Sequence, residues 1–292
     1  MDKPEGPTSH DVVACARRVL GQREAGHTGT LDPMATGVLP LVLGRATRLA
    51  QFLSGGTKGY EATIRLGLAT DTWDRTGSVV RQQPGDVPLP GEEDIRRALA
   101  AMLGEHEQVP PPFSAKRVGG VRAYALARSG QAVAPKAARV ALLEATIDAW
   151  DPPLLQMRIS CSAGFYVRAL ARDLGERLGC GACLEHLRRF ASGTFTSDRA
   201  ISLESLQRDP ALARASIIRL EDLLPQLPSA RLTEAGARRA AHGNDVSPAD
   251  FAEPPVPGAG GLVRLLAPDG QLLAVARPGN EPGTLHPAVV LK

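Results

Sequence analysis

The stretch of this chain best suited to chemistry is Gly26-His27-Thr28-Gly29-Thr30-Leu31-Asp32-Pro33-Met34-Ala35-Thr36-Gly37. Glycines at 26, 29 and 37 leave the backbone free for tight turns that other residues resist. Pro33 disfavours an α conformation at Asp32 and fixes the path beyond it. A loop built this way presents one carboxylate, Asp32, to a ligand. Taken alone, an ordinary Gly/Asp/Pro turn is the competing reading.

Two other clusters invite a chemical reading and fall short of it. Cys180-Gly-Ala-Cys183, followed by His186, suggests metal, but a structural zinc needs four ligands and the second pair is missing. Ordinary packing is the better reading, and four cysteines in 292 residues imply no disulfide scaffold. Asp71 and Asp74 flank Thr72 and Trp73 in a turn-rich segment, where clustered acids invite magnesium and a solvated turn is the competing reading. There is no G-x-x-x-x-G-K-S/T pattern and no dinucleotide glycine fingerprint. The net charge of +3 is too small to announce nucleic acid, yet residues 110–190 hold twelve Lys or Arg against six acids. That local excess suits an RNA backbone, with scattered surface arginines as the bland alternative.

The elements that must position Asp32 follow from periodicity. Thr8 and Asp11 match a capping box, and Val12, Ala16, Val19 and Leu20 then recur on one face. This predicts a helix from Thr8 or Ser9 to Gly21, with residues 21–37 as the presented loop. Leu39, Leu41 and Leu43 suit a short strand, and Tyr60–Gly67 alternates as a longer one. Residues 92–103 read as a helix with Ile95, Leu99 and Met102 or Leu103 inward, and 121–129 as another. Val140–Trp150 and Leu154–Cys161 read as strands, and Gly164 turns the chain into a helix carrying Leu170, Leu174 and Leu178. A connector over 206–228 includes a short helix around 211–223. The tail then reads as a helix at 233–241 and a strand-turn-strand around Pro268-Asp269-Gly270. This order favours an α+β fold with a large mixed or antiparallel sheet. No run approaches 18 uninterrupted apolar residues, so no membrane span is expected. The start lacks a basic region followed by an apolar segment, which points away from secretion and to the cytoplasm.

The Asp32 run resembles the catalytic loop of the TruB family of pseudouridine synthases, which isomerise a uridine in the T loop of transfer RNA. Residues 1–9 (MDKPEGPTS) resemble the family's opening, and 108–117 (QVPPPFSAKR) and 161–168 (CSAGFYVR) resemble two further signatures in the expected order. The likeness runs through residues 1–205. The tail resembles a PUA domain, an RNA-binding module. The resemblance implies a pseudouridine synthase core with a large sheet and flanking helices over residues 1–222, and a small C-terminal PUA-like β-barrel over 223–292.

It also implies roles. Asp32 matches the essential aspartate, for which covalent attack at the sugar and elimination through a glycal-like intermediate are both open. Arg168 matches the arginine of the Gly-x-Tyr-x-Arg signature, placed to pair with Asp32 and keep it deprotonated. Tyr60 matches the tyrosine that stacks on the target base, and its hydroxyl is placed to handle the C5 proton. His27 matches a histidine that stacks into the T loop as bases flip out. Tyr166 belongs to the same signature as Arg168. Leu187, read as lying on a helix, matches an apolar residue closing the pocket. Lys3, Lys116 and Arg117 fit loop support or backbone contacts. The family uses neither metal nor organic cofactor. The implied activity is isomerisation of uridine 55 on the T-arm stem-loop of tRNA by a monomer without guide RNA or membrane. An RNA-binding tRNA folding helper with secondary or absent catalysis is the alternative.

Overall fold

The computed structural model describes residues 1–111, 117–118, 121–122, 136–255 and 261–291. Contacts divide the chain into two units, one gathering residues 1–12, 29–40 and 54–203 and the other 13–28, 41–53 and 204–292.

The first unit is organised by one large mixed sheet. In chain order, and counting β2 and β4 of the second unit, the strands up to residue 196 are β1 (Asp2–Lys3), β2 (Ala25–His27), β3 (Thr36–Val38), β4 (Leu41–Leu43), β5 (Lys58–Leu66), β6 (Leu68–Thr70), β7 (Val79–Gln82), β8 (Gly104–Gln108), β9 (Arg117–Val118), β10 (Val121–Arg122), β11 (Ala138–Asp151), β12 (Leu154–Cys161), β13 (Ala182–Ser192) and β14 (Phe195–Thr196). The large sheet runs β1-β3-β13-β5-β12-β11-β8, with β14 pairing β13. Every pairing in it is antiparallel except β3 with β13. Alternation sets the buried side: along β12, Leu155, Met157, Ile159 and Cys161 are buried while Gln156 and Arg158 are exposed.

Helix α1 (Ser9–Leu20) starts where the capping box predicts, for Thr8 and Asp11 exchange the two bonds of the box. Two further helices are α2 (Ala50–Ser54) and α3 (Glu92–Ala100), and in α3 Ile95 and Leu99 turn inward. Met102 is buried beyond its end, while Leu103 is exposed. Helix α4 (Val167–Arg177) buries Val167, Leu170, Ala171 and Leu174.

Three expectations need correction here. Leu187 lies on an eleven-residue strand, Ala182–Ser192, and not on a helix. Pairing on both sides, with β3 and with β5, supplies backbone partners that outweigh local preference. Val121–Arg122 pairs with Arg117–Val118 as a two-stranded ribbon, so no helix begins at 121, and residues 123–129 lie outside the described residues. The connector holds two short helices, α5 (Leu203–Arg208) and α6 (Pro210–Ala215), where one helix around 211–223 is expected. Asp209 caps α6 by accepting from the Ala211 and Leu212 amides, and Pro210 has no N–H with which to continue α5.

In the second unit, β2 pairs β4, with His27 opposite Leu41. Its larger sheet comprises β15 (Ser229–Leu232), β16 (Phe251–Glu253), β17 (Val263–Leu266), β18 (Leu272–Pro278) and β19 (Leu285–Val290), in the order β16-β15-β17-β18-β19. The expected PUA-like β-barrel is not formed: among the described residues no sheet closes, because β16 and β19 are free ends that do not pair. Barrel closure requires its end strands to pair with a shared stagger. Here helix α7 (Glu234–Ala241) covers the apolar face instead. Its Ala240 and Ala237 pack with Leu232, Leu265, Ala274 and Ala276.

Candidate active site

The Asp32 loop is held from three directions within the first unit. The Ser9 hydroxyl donates to the Leu31 carbonyl at 3.0 Å and accepts from the Leu31 amide at 2.8 Å. Lys3, fully buried, donates through Nζ to the carbonyls of Pro4 (2.8 Å), Pro33 (3.2 Å) and Ala35 (2.7 Å). Burial brings its ammonium down to about 8, with Asp32 and Glu5 opposing that shift. Arg189 donates to Gly29 O at 2.9 Å and Val38 O at 2.7 Å, so both limbs of the loop are tied to β13. Leu31, Met34 and Ala35 are buried around it. Asp32, flanked by these anchors, has little freedom left.

Asp32 meets Arg168 in a two-point ion pair. Nη2 donates to Oδ1 at 3.1 Å and Nε lies 2.9 Å from Oδ2. The Arg168 side chain is 5% exposed and that of Asp32 34%, so the carboxylate opens to solvent on one side with packed protein around the rest. Arg168 is the second residue of α4. The chain reaches that helix through Gly164 at φ +83°, and Gln108 grips Tyr166 just before it, donating to its carbonyl and accepting from its amide.

Arg168 is shared. Its Nη1 donates to Thr72 O at 3.2 Å and stands 3.5 Å from Asp74 Oδ2. Asp74 is buried, and its Oδ1 accepts from Thr72 Oγ1 (2.8 Å), Thr76 N (3.0 Å) and Thr76 Oγ1 (2.6 Å). A solvated turn residue was expected there; Asp71, by contrast, is exposed and accepts from the Ser78 amide. Beside this turn the Arg172 guanidinium lies 4.1 Å over the Trp73 ring. Desolvation pushes the Asp32 carboxyl above the usual carboxylate range. Arg168 pulls it back and Asp74 adds to the push, so burial outweighs the pairing expected to hold it down.

Tyr60, on β5 and buried, is the direct cross-strand partner of Arg189 on β13. Burial pushes its phenol up, while the Arg189 guanidinium facing the hydroxyl opposes that push. Leu187 is buried on β13, opposite Ala62. The structure thus brings Arg168, Lys3 and Tyr60 each into electrostatic reach of Asp32. Tyr166 is placed just before Arg168, half-buried. His27 belongs to the second unit, at the end of β2. Lys116 and the side chain of Arg117 lie outside the described residues.

Arg189, Gln108 and Ser9 are site-building residues that sequence reasoning did not single out for the site, and Asp74 was read only as a turn residue. For Asp74 the signal was present: threonines at 72 and 76 flank it with hydroxyls placed to saturate a buried carboxylate. Among the described residues no group of three or more His, Cys, Asp or Glu is placed to hold a metal ion. Cys161, Cys180 and Cys183 are buried, and burial raises all three thiols, Cys161 to about 12 and Cys183 to about 11.

Comparison with known proteins gives this arrangement its context. Residues 17–167 match the model described as TruB family pseudouridylate synthase (N terminal domain), and residues 168–227 that of the tRNA pseudouridylate synthase B C-terminal domain. The tRNA pseudouridine synthase B of Geobacter sulfurreducens is 45% identical over 283 residues, covering 94% of this chain and 91% of its own. That of Solibacter usitatus is 42% identical over 293 residues, covering 100% and 98%. Among solved structures, a chain of a Cbf5-Nop10-Gar1 complex superposes with a TM-score of 0.74 at 26% identity, over 100% of this chain and 83% of its own. A chain of an H/ACA RNP bound to a substrate RNA containing 2'-deoxyuridine gives 0.72 at 25% identity, with the same coverage. A loop carboxylate paired with a buried arginine, matched family models over most of the chain and near-full-length relatives agree: the chain belongs to the TruB family of tRNA pseudouridine synthases.

Proposed function

We propose that this tRNA pseudouridine synthase acts on uridine 55 of the T loop, with Asp32 as the group that acts at the sugar. The observation that carries the reading is the two-point pairing of a solvent-open Asp32 with a buried Arg168. A carboxylate fixed in direction and open on one side suits attack on, or charge stabilisation at, a ribose carbon. The reaction detaches uracil from C1′, turns the base, and rejoins it through C5. A uridine inside a folded loop must first leave its stack, at a cost of a few kcal/mol. In this proposal His27 stacks into the T loop and offsets part of that cost. Tyr60 stacks on the extruded base and its hydroxyl handles the C5 proton, while Leu187 and Tyr166 border the base. Lys3 supports the loop, and Lys116 and Arg117 contact the backbone. The enzyme works on the T arm without a guide RNA, as a monomer in the cytoplasm.

The test is incubation with an isolated T-arm stem-loop and nucleotide-resolved detection of isomerised uridine. The parent converts position 55, and Asp32→Asn binds the same RNA but converts it about 10⁴-fold more slowly or worse, the scale felt when a nucleophilic group is lost. Conversion by Asp32→Asn at the parent rate would refute the assignment. Binding by the parent without any conversion would favour the folding-helper reading instead.

A further inference from the structure

Arg189 heads the fully buried side chains by size, at 1% exposure. Its hydrogen-bond acceptors are neutral carbonyls, Val38 O and Gly29 O, and no carboxylate pairs with it among the described residues. The other cation beside it, Lys58, is also buried, brought down to about 8 by burial and then by Arg189 itself. An interior cation without a counter-ion is expensive, because its lost hydration is not repaid by a partner charge. Stability alone does not explain why a guanidinium is kept there.

Its three engagements do. Gly29 lies three residues before Asp32 and Val38 six after it, so one planar fork ties both limbs of the loop to β13. The backbone of Arg189 also packs on the loop: a Cβ at Gly37 would lie 2.2 Å from Arg189 O. Across the β13–β5 pairing Arg189 is in register with Tyr60 and faces its hydroxyl. We infer that Arg189 is a positioning residue of the reaction, setting the Asp32 loop and the Tyr60 hydroxyl relative to one another through one rigid guanidinium. This rests on the proposal that Asp32 and Tyr60 act on the same uridine. A lysine at 189 would not reproduce this, since Val38 O and Gly29 O are met by two different nitrogens, Nε and Nη2, of one planar group, and an ammonium offers a single nitrogen.

The experiment uses the full chain with T-arm stem-loop RNA. Single-turnover conversion, RNA dissociation constant and thermal unfolding are measured for the parent, Arg189→Lys, Arg189→Met, Tyr60→Phe and Arg189→Lys with Tyr60→Phe. Expected are folded Lys and Met variants that bind RNA within about threefold of the parent and convert it at least about 100-fold more slowly. In the Tyr60→Phe background the further loss from Arg189→Lys shrinks below about tenfold, as for two groups acting as one unit. Parent-like rates in the Lys variant overturn the inference. So do losses confined to RNA affinity, fully multiplicative losses in the double variant, or unfolding of both variants, which marks Arg189 as a fold determinant. A parent that converts no uridine sinks the underlying function, a result distinct from any of these.

Discussion

Asp32 carries two opposed influences, and their balance is testable by pH. Desolvation and the Asp74 charge raise its carboxyl, while Arg168 and Lys3 lower it, with the net direction upward. In the proposed role the carboxylate acts ionised, so a raised value predicts that activity is lost as pH falls through a point above the ordinary carboxylate range. Removing the neighbouring like charge reverses part of this. Asp74→Asn is expected to move the acid limb of the pH–rate profile to lower pH, with a reduced plateau because Arg168 loses its second carboxylate. An acid limb that stays in place would show that Asp74 does not act on Asp32 electrostatically. Lys3 illustrates the same economy at a different group: its three carbonyl contacts make it a strut for the loop, and its burial lowers its own proton affinity.

At the scale of elements, the loop is defined by how closely β3 and β13 approach. Gly37 has φ +100°, a conformation that L side chains avoid, and a Cβ there would lie 2.2 Å from Arg189 O and 2.8 Å from Arg189 N. Gly29 is different: a Cβ would sit 3.5 Å from Arg189 Nη1, an ordinary contact. Gly37→Ala is therefore expected to cost about 3 kcal/mol or more, from strain plus forced separation of the strands, and to abolish activity. Gly29→Ala is expected to change stability by less than about 1 kcal/mol. Denaturant unfolding of the two variants side by side checks the contrast, and equal losses would contradict it.

For the whole molecule, charge distribution matters more than net charge. The excess of basic residues over 110–190 is expected to supply a salt-sensitive attraction to an RNA backbone that a net charge of +3 understates. Affinity for T-arm RNA is expected to fall about tenfold or more between 50 and 200 mM salt, through counterion release. Titration at several salt concentrations tests this, and a flat response would assign recognition to shape and base contacts. No helix among the described residues is long and apolar enough to cross a membrane. The C-terminal unit closes its core with helix α7 over an open five-stranded sheet, a solution that strand patterning alone did not distinguish from a barrel.

Local chemistry in the sequence was enough to place the capping box at Thr8 and Asp11, the alternating strands around Tyr60 and Met157, the glycine turn before Arg168, and the loop that offers Asp32. Each depends on neighbours within a few residues, and there pattern and physics coincide. Leu187 on a strand, Asp74 buried beside Arg168, Arg189 without a carboxylate partner among the described residues and the unclosed C-terminal sheet were decided by partners far along the chain. Thr36 and Tyr60 flank Arg188 and Arg189 across two strand pairings, and Asp74 reaches Arg168 across 94 residues. Only tertiary packing sets such contacts, because removing water from a charge or pairing a backbone edge is a property of what folds over it and not of the residues beside it.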